Sequence, residues 1–263
     1  MEKLHVLYDT GFEKIEDIFA PVQLLLERNI QVEGVLLRSD SVERHMCCWR
    51  VEELLENQVC PEGCLQEYSA KELAKAASFI IQKVEECEAV SKLYLCVYGP
   101  LDCVYEVIRL RPELAKRLIV IWMGSFENCF AQEAEKKSPD LLFASELEFW
   151  HVPPTVYKQI RYSNAQLELR MRPLGDLGAY LYEQIKSEQK GLGSVNGGGM
   201  AGAALLMTSG FGRYQRTVYR GKEEKRENPR IRSRIREYSE VDNRMVLEDF
   251  LAKLALLQRD QVQ

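Results

Sequence analysis

Short, continuous apolar runs alternate along this chain with longer segments of helical periodicity. The clearest runs are LHVLYD at 4–9, LYLCVYG at 93–99 and LIVIWMG at 118–124. Uninterrupted apolar strands are typical of a parallel sheet that is covered on both faces, because neither face is then left to water. Together with the helical segments between them, they predict an α/β fold with a doubly wound, mostly parallel sheet and helices on both faces.

The length of the chain sets its expected domain organisation. The 263 residues, 46% of them hydrophobic, are enough for one large core, so we predict a single domain over 1–263. Residues 191–235 differ from the rest, because they are first rich in glycine and then rich in arginine. We expect this segment to be flexible, with a short helix at 203–207, since neither half buries much apolar surface. The last stretch, 238–258, is expected to form one final helix.

The same segment has two binding interpretations. Its glycine tract could cradle a phosphate with backbone N–H groups, but it lacks the lysine and the spacing of known phosphate loops, so a degenerated loop is favoured. Residues 213–236 carry ten lysines and arginines against three glutamates, interleaved with tyrosines. Nucleic acid could bind there. Because no recognised binding module surrounds this stretch, a solvated surface is favoured and nucleic acid is not an expected partner.

Composition narrows the class of protein further. The net charge is −5 and no apolar run approaches membrane-spanning length, so we expect no membrane partner. The first residues enter a predicted strand without the plan of a signal peptide, which favours a cytoplasmic protein. Several of the eight cysteines lie in apolar strands, which is typical of reduced, buried thiols. A zinc set of His45, Cys47, Cys60 and Cys64 is the less favoured alternative.

Carboxylates cluster where the first strand should end. Asp9 closes the apolar run, and Glu13, Glu16 and Asp17 follow within the next eight residues. Carboxylates at the end of a parallel strand could hold a hard cation. They could equally be a turn aspartate and the solvated acidic first turn of a helix.

The middle of the chain carries motifs of a known family. Residues 93–124 read strand, Gly99-Pro100-Leu101-Asp102, helix, Pro112-Glu113-Leu114, strand, Met123-Gly124. This segment resembles the inosine/uridine-preferring nucleoside hydrolases, and the resemblance extends over most of 3–188 and 236–255. It implies the doubly wound fold, and it implies hydrolysis of the N-ribosidic bond of a nucleoside to base and ribose.

The resemblance also implies a site. One Ca²⁺ would be held by Asp9, Glu16, Asp17 and Asp102, and it would bind the ribose hydroxyls and activate a water molecule. Asp9 and Asp17 would be the catalytic residues, one of which takes the proton of the water. Asn128 would contact the sugar. The implied ligand is a nucleoside or another ribose-containing small molecule, and a homo-oligomer is left open.

The sequence departs from the family pattern at several of these positions. Gly11 stands where the family has the second aspartate of Asp-x-Asp, and no acidic residue occurs from 191 to 221, where a late aspartate belongs. A catalytically inactive protein that binds a nucleoside, a sugar or a protein partner is therefore the alternative. A phosphatase-type site with Asp9 as nucleophile is a third and weaker one, because Gly11 cannot serve as its acid. His151 is expected to be a structural residue at a strand end.

Overall fold

The computed structural model describes eleven stretches of the chain. They are residues 3–11, 15–38, 50–51, 53–54, 65–69, 72–88, 91–131, 137–188, 193–207, 211–217 and 235–262. The proposed zinc set of His45, Cys47, Cys60 and Cys64 lies outside these residues, as does the side chain of Glu16. The four cysteines that are described, Cys87, Cys96, Cys103 and Cys129, are free thiols, as expected.

Ten strands are present in the described residues. They are β1 (Leu4–Thr10), β2 (Ile30–Arg38), β3 (Leu65–Tyr68), β4 (Leu93–Tyr98), β5 (Leu118–Met123), β6 (Glu148–Val152), β7 (Arg161–Ser163), β8 (Ser194–Asn196), β9 (Gly212–Thr217) and β10 (Ile235–Val241). Eight of them form one sheet in the order β3-β2-β1-β4-β5-β6-β10-β9, and β7 pairs with β8. All pairs of the large sheet are parallel except β10 with β9.

Helices cover both faces of the sheet. They are α1 (Phe19–Leu25), α2 (Leu73–Glu86), α3 (Asp102–Leu110), α4 (Pro139–Phe143), α5 (Pro154–Tyr157), α6 (Asn164–Gln166, continued by a π-helical turn Leu167–Met171), α7 (Gly175–Glu188), α8 (Met200–Met207) and α9 (Asn243–Val262). Short 3₁₀ turns occupy Ile15–Ile18, Pro112–Arg117 and Phe126–Asn128. In the described part of the chain, no helix is long and apolar enough to cross a membrane.

Alternate residues of each strand feed two separate core layers. In β1, Val6 and Tyr8 belong to the layer that includes α1, α7, α8 and α9, whereas Leu7 packs into the layer with α2, α3 and α4. This is the period-2 alternation of a strand, with both sides buried as in a doubly wound sheet. The α/β architecture predicted from the apolar runs is confirmed.

Of two local expectations for the C-terminal third, one is wrong and one is confirmed. Residues 238–258 are not one helix, because β10 runs to Val241 before α9 begins at Asn243. The expected short helix in the glycine-rich segment exists, but it is α8, and all but its last residue are buried. The described parts of 191–235 thus form β8, α8 and β9. The predicted flexibility of the stretch between β9 and β10 falls on residues outside the described ones.

Candidate functional site at the carboxyl ends of β1 and β4

The direction in which the strands follow one another along the sheet reverses between β1 and β4. From β1 the chain crosses to β2 on one side, while β4 pairs with β1 on the other side, so the winding reverses between them. In open α/β sheets, ligands bind outside the carboxyl ends of the strands at such a reversal. Thr10 and Tyr98 lie opposite each other at these two ends.

Asp9 lies at the end of β1, buried in the layer of α2 and α3. Its Oδ1 accepts a hydrogen bond of 2.7 Å from the Tyr68 hydroxyl, which in turn accepts one of 3.2 Å from the Cys103 thiol. Burial raises the pKa of Asp9 from its usual 3.8 to about 6, although the Tyr68 hydrogen bond and the nearby charge of Arg38 oppose this shift. The Asp9 carboxyl group is therefore mostly ionised at pH 7 and gains a proton as the pH falls through about 6.

Asp102 lies at the first position of α3, which follows β4. Its Oδ1 is 2.5 Å from Lys137 Nζ, and its Oδ2 accepts a hydrogen bond of 3.0 Å from the Ala131 N–H. The Lys137 ammonium also lies 5.7 Å from the centroid of the Tyr105 ring and 5.9 Å from that of Phe130. Asp102 thus holds two points of the β5–α4 connection, Ala131 and Lys137, against α3.

Asp17 lies on the other side of β1. It is nearly buried in the 3₁₀ turn before α1. Burial raises the pKa of Tyr8 well above its usual value, and the charges of Cys96 and Asp17 add to that shift. Because Tyr8 and Asp9 are consecutive strand residues, they point to opposite faces. The structure therefore brings Asp9 and Asp102 to one side and Asp17 to the side of Tyr8.

The sequence also singled out Asn128, which follows β5, and His151, which lies in β6. Asn128 ends the turn Phe126–Asn128 and its side chain is exposed. His151 is buried, its Nε2 is 3.0 Å from the Gly124 carbonyl oxygen, and its ring stacks on Trp122 with centroids 4.8 Å apart. Burial lowers the pKa of His151, which favours the neutral imidazole. These contacts agree with the structural role expected for His151.

The glycine tract forms a wall next to the same strand ends. The Tyr8 hydroxyl donates to the Gly199 carbonyl at 3.1 Å, and a Cβ on Gly199 would lie 2.7 Å from that hydroxyl. Asn196 donates to the Tyr98 hydroxyl at 3.3 Å, and the Tyr98 ring meets Tyr157 edge-on at 5.6 Å between centroids. Glycine at 199 is therefore required for close packing over β1.

Solved structures share this architecture over nearly the whole chain. A plant nucleoside hydrolase, PpNRh1, aligns with a TM-score of 0.71 at 16% identity, over 96% of this chain and 99% of its own. The fold is that of the nucleoside hydrolases. The inosine-uridine preferring nucleoside hydrolase from Bacillus anthracis aligns with a TM-score of 0.65 at 14% identity, over 97% of this chain and 99% of that one.

One structural neighbour with the same fold is an effector protein. It aligns with a TM-score of 0.66 at 8% identity, over 100% of this chain and 94% of its own. No protein-family model matches the sequence, and no curated protein matches it significantly. At these identities the structural likeness establishes the fold.

The described side chains do not form a calcium site. Among the residues that the structure describes, no group of three or more His, Cys, Asp or Glu side chains could hold a metal ion. Asp102 is already neutralised by Lys137, and Asp9 is engaged by Tyr68. Because Ca²⁺ takes six to eight oxygen ligands, these two carboxylates are not a sufficient set.

Sequence reasoning missed three residues around the two carboxylates: Arg38, Tyr68 and Lys137. Arg38 and Tyr68 are the last residues of β2 and β3, so the rule that ligands gather at strand ends could have marked them once those strands were recognised. Lys137 gives no such signal, because it lies in a loop 35 residues from the aspartate that it neutralises.

Proposed function

We propose that this protein hydrolyses the N-ribosidic bond of a ribonucleoside and releases the base and ribose. The observation that carries the proposal is the buried Asp9 carboxylate at the β1–β4 reversal of a sheet that matches nucleoside hydrolases over almost its full length. The ligand class is a nucleoside or a closely related ribose compound.

Asp9 is the proposed general base. As water attacks the anomeric carbon of the ribose, the bond from that carbon to the base breaks, and its electron pair leaves with the base. The proton of the water passes to Asp9. A carboxylate with a pKa of about 6 is ionised at pH 7 and is a stronger base than an ordinary aspartate. The Tyr68 hydrogen bond fixes its orientation.

Other residues near the β1–β4 reversal have proposed binding roles. The half-buried rings of Tyr98 and Tyr157 offer aromatic faces for the nucleoside base. The exposed Asn128 amide is proposed to contact the sugar, and Asp17 is proposed to assist from the Tyr8 side. Calcium binding by Asp9, Glu16, Asp17 and Asp102 stays a prediction, and it would require ligands beyond the described side chains and release of Asp102 from Lys137. A homo-oligomer stays a prediction as well.

The proposed setting is the cytoplasm. The four described cysteines are free, and Cys96 and Cys103 are buried, as suits thiols in a reducing compartment. The proposed partner is the small-molecule nucleoside itself.

A panel of ribonucleosides tests the proposal through release of reducing sugar. The panel should contain purine and pyrimidine nucleosides, each assayed with added Ca²⁺ and with a chelator, and with calorimetric measurement of nucleoside binding in parallel. We expect ribose release from at least one nucleoside, with a rate that rises between about pH 5 and pH 7 as Asp9 ionises. Nucleoside binding without ribose release under either metal condition would refute hydrolysis.

A further inference from the structure

A charged pocket lies at the amino ends of β4, β5 and β6, at the opposite edge of the sheet from Asp9. Its volume is about 340 Å³, and it is lined by Lys92, Lys116, Glu146, Glu148, Arg216 and Arg236. Every lining side chain is charged, with four cations against two carboxylates. The sheet separates this basic pocket from the carboxyl ends of β1 and β4.

Two arginines face each other across the last pair of strands. Arg216 of β9 and Arg236 of β10 are directly opposite in the antiparallel register, so their side chains share one face. Like charges in this position destabilise a sheet unless a counter-charge lies between them. The register therefore favours an anion at this place.

The counter-charge provided by the described residues reaches only one of the two arginines. Arg236 is 2.7 Å from Glu148, and its guanidinium lies 4.6 Å from the centroid of the Trp150 ring. Arg216 is exposed and forms no ion pair with any described residue. The Arg236 Nε is buried and finds no acceptor in the described part of the chain.

The carboxylates of the pocket are already shared. Glu148 contacts Lys92 at 3.4 Å as well as Arg236, and it accepts a hydrogen bond of 3.0 Å from Trp150 Nε1. Glu146 contacts Lys116 at 3.0 Å. With these pairs counted, the pocket keeps a net charge of +2, which a single dianion would balance.

We propose that the basic pocket binds a phosphate group between Arg216 and Arg236. Guanidinium groups present paired N–H donors that match the oxygens of a phosphate, and the Trp150 ring already orients one of them. The phosphate is either free orthophosphate or the phosphate of a nucleotide. This site is separate from the proposed hydrolytic site and does not depend on it.

Calorimetric titration of the full chain tests the phosphate site. The probes are orthophosphate, a nucleoside 5′-monophosphate and the corresponding nucleoside, and the variants are Arg216→Ala and the control Arg213→Ala. Arg213 lies on the same strand, is exposed and contacts Glu240 at 3.5 Å instead of lining the pocket. We expect saturable binding of phosphate by the wild type, weakened at least tenfold in Arg216→Ala and less than twofold in Arg213→Ala.

The probes also identify the source of the phosphate. Equal affinity for orthophosphate and the nucleotide indicates a site for the free ion, whereas tighter binding of the nucleotide indicates a nucleotide site. Binding of the nucleoside should be the same in Arg216→Ala as in the wild type. The proposal is overturned if neither phosphate probe binds, or if the two arginine variants lose affinity equally, because the effect would then be one of overall charge.

Discussion

The ends of β1 and β4 carry two aspartates with nearly the same burial and different surroundings. Asp9 is 4% exposed and Asp102 is 3% exposed. Asp9 receives a hydrogen bond from the neutral Tyr68 hydroxyl, whereas Asp102 is paired with the ammonium of Lys137. The comparison shows that the partner of a buried carboxylate, more than its burial, decides what the carboxylate can do.

The two sites differ in how far the negative charge is neutralised. The neutral Tyr68 hydroxyl orients Asp9, and the charge of Arg38 only partly offsets the effect of burial, which raises the pKa of Asp9 to about 6 and leaves it able to take up a proton. Asp102 has a cation and a backbone N–H on its two oxygens, so its charge is used to hold a loop in place. Asp9 therefore suits chemistry and Asp102 suits anchoring.

The largest expected effect comes from breaking the Asp102 pair. Lys137→Met leaves a buried carboxylate without its cation, and we expect the free energy of unfolding to fall by about 3–5 kcal/mol. Chemical denaturation monitored by circular dichroism measures this change. The double variant Lys137→Met/Asp102→Asn should recover part of the loss, because the uncompensated charge is gone.

An exposed lysine of the same chain provides the control for Lys137. Lys116 pairs with Glu146, and their side chains are 67% and 50% exposed. Lys116→Met should therefore change the free energy of unfolding by less than about 1 kcal/mol. Equal losses in Lys137→Met and Lys116→Met would contradict the anchoring role of the Asp102 pair.

A smaller effect of opposite sign is expected at Asp9. Its folded-state pKa of about 6 lies above the usual 3.8. Between these values the folded state keeps a proton that the unfolded state has lost, so stability falls as the pH rises through this window. At pH 7 the ionised Asp9 costs at most about 3 kcal/mol.

Asp9→Asn removes this cost while keeping an oxygen that accepts the Tyr68 hydrogen bond. We expect the variant to be more stable than the wild type at pH 7, by up to about 3 kcal/mol, and the gain to disappear near pH 4. Denaturation curves at the two pH values measure the difference. Asp102→Asn serves as the comparison and should destabilise the protein at pH 7. Destabilisation by both substitutions at pH 7 would remove the distinction between the two carboxylates.

The smallest of the three stability effects concerns the glycine wall on the Tyr8 side of β1. Gly199→Ala would place a Cβ 2.7 Å from the Tyr8 hydroxyl, so we expect a loss of about 1–3 kcal/mol from forced repacking. Gly193 belongs to the same tract, and a Cβ added there would have no heavy atom of the described residues within 4 Å, so Gly193→Ala is the matched control. Equal thermal stability of the two variants would show that the wall does not pack closely over β1.

The fold could be predicted from the sequence because its signals are local. The apolar runs at 93–99 and 118–124 form the central strands β4 and β5. Because such continuous runs are typical of a sheet buried on both faces, they also predicted helices on each side of it. The strand β10 was missed, although Asp242, whose Oδ1 accepts a hydrogen bond from the Met245 N–H, separates YSEV from the helical pattern. The buried helix α8 lies in a segment whose glycine content suggested flexibility, although its alanines and leucines fill the core.

The candidate site was only partly predictable, because it depends on contacts between residues far apart in the sequence. Asp9 and Asp102 were recognisable from their places after apolar strands. Which of them would be neutralised was not, since Lys137 reaches Asp102 from 35 positions away. The opposite directions of Asp9 and Tyr8 follow from strand alternation, but the position of Asp17 beside Tyr8 required the structure.

Ribose release by Asp9→Asn and Asp102→Asn, measured side by side with the wild type, tests the central claim most directly. The assay uses the best nucleoside of the panel at pH 7, at a temperature where circular dichroism shows all three proteins to be folded. Asp9→Asn should reduce the rate about 100-fold or more, because it removes the general base, while Asp102→Asn should retain the rate within about tenfold. A wild-type rate in Asp9→Asn, or an equal loss in both variants, would contradict the assignment of Asp9 as the base.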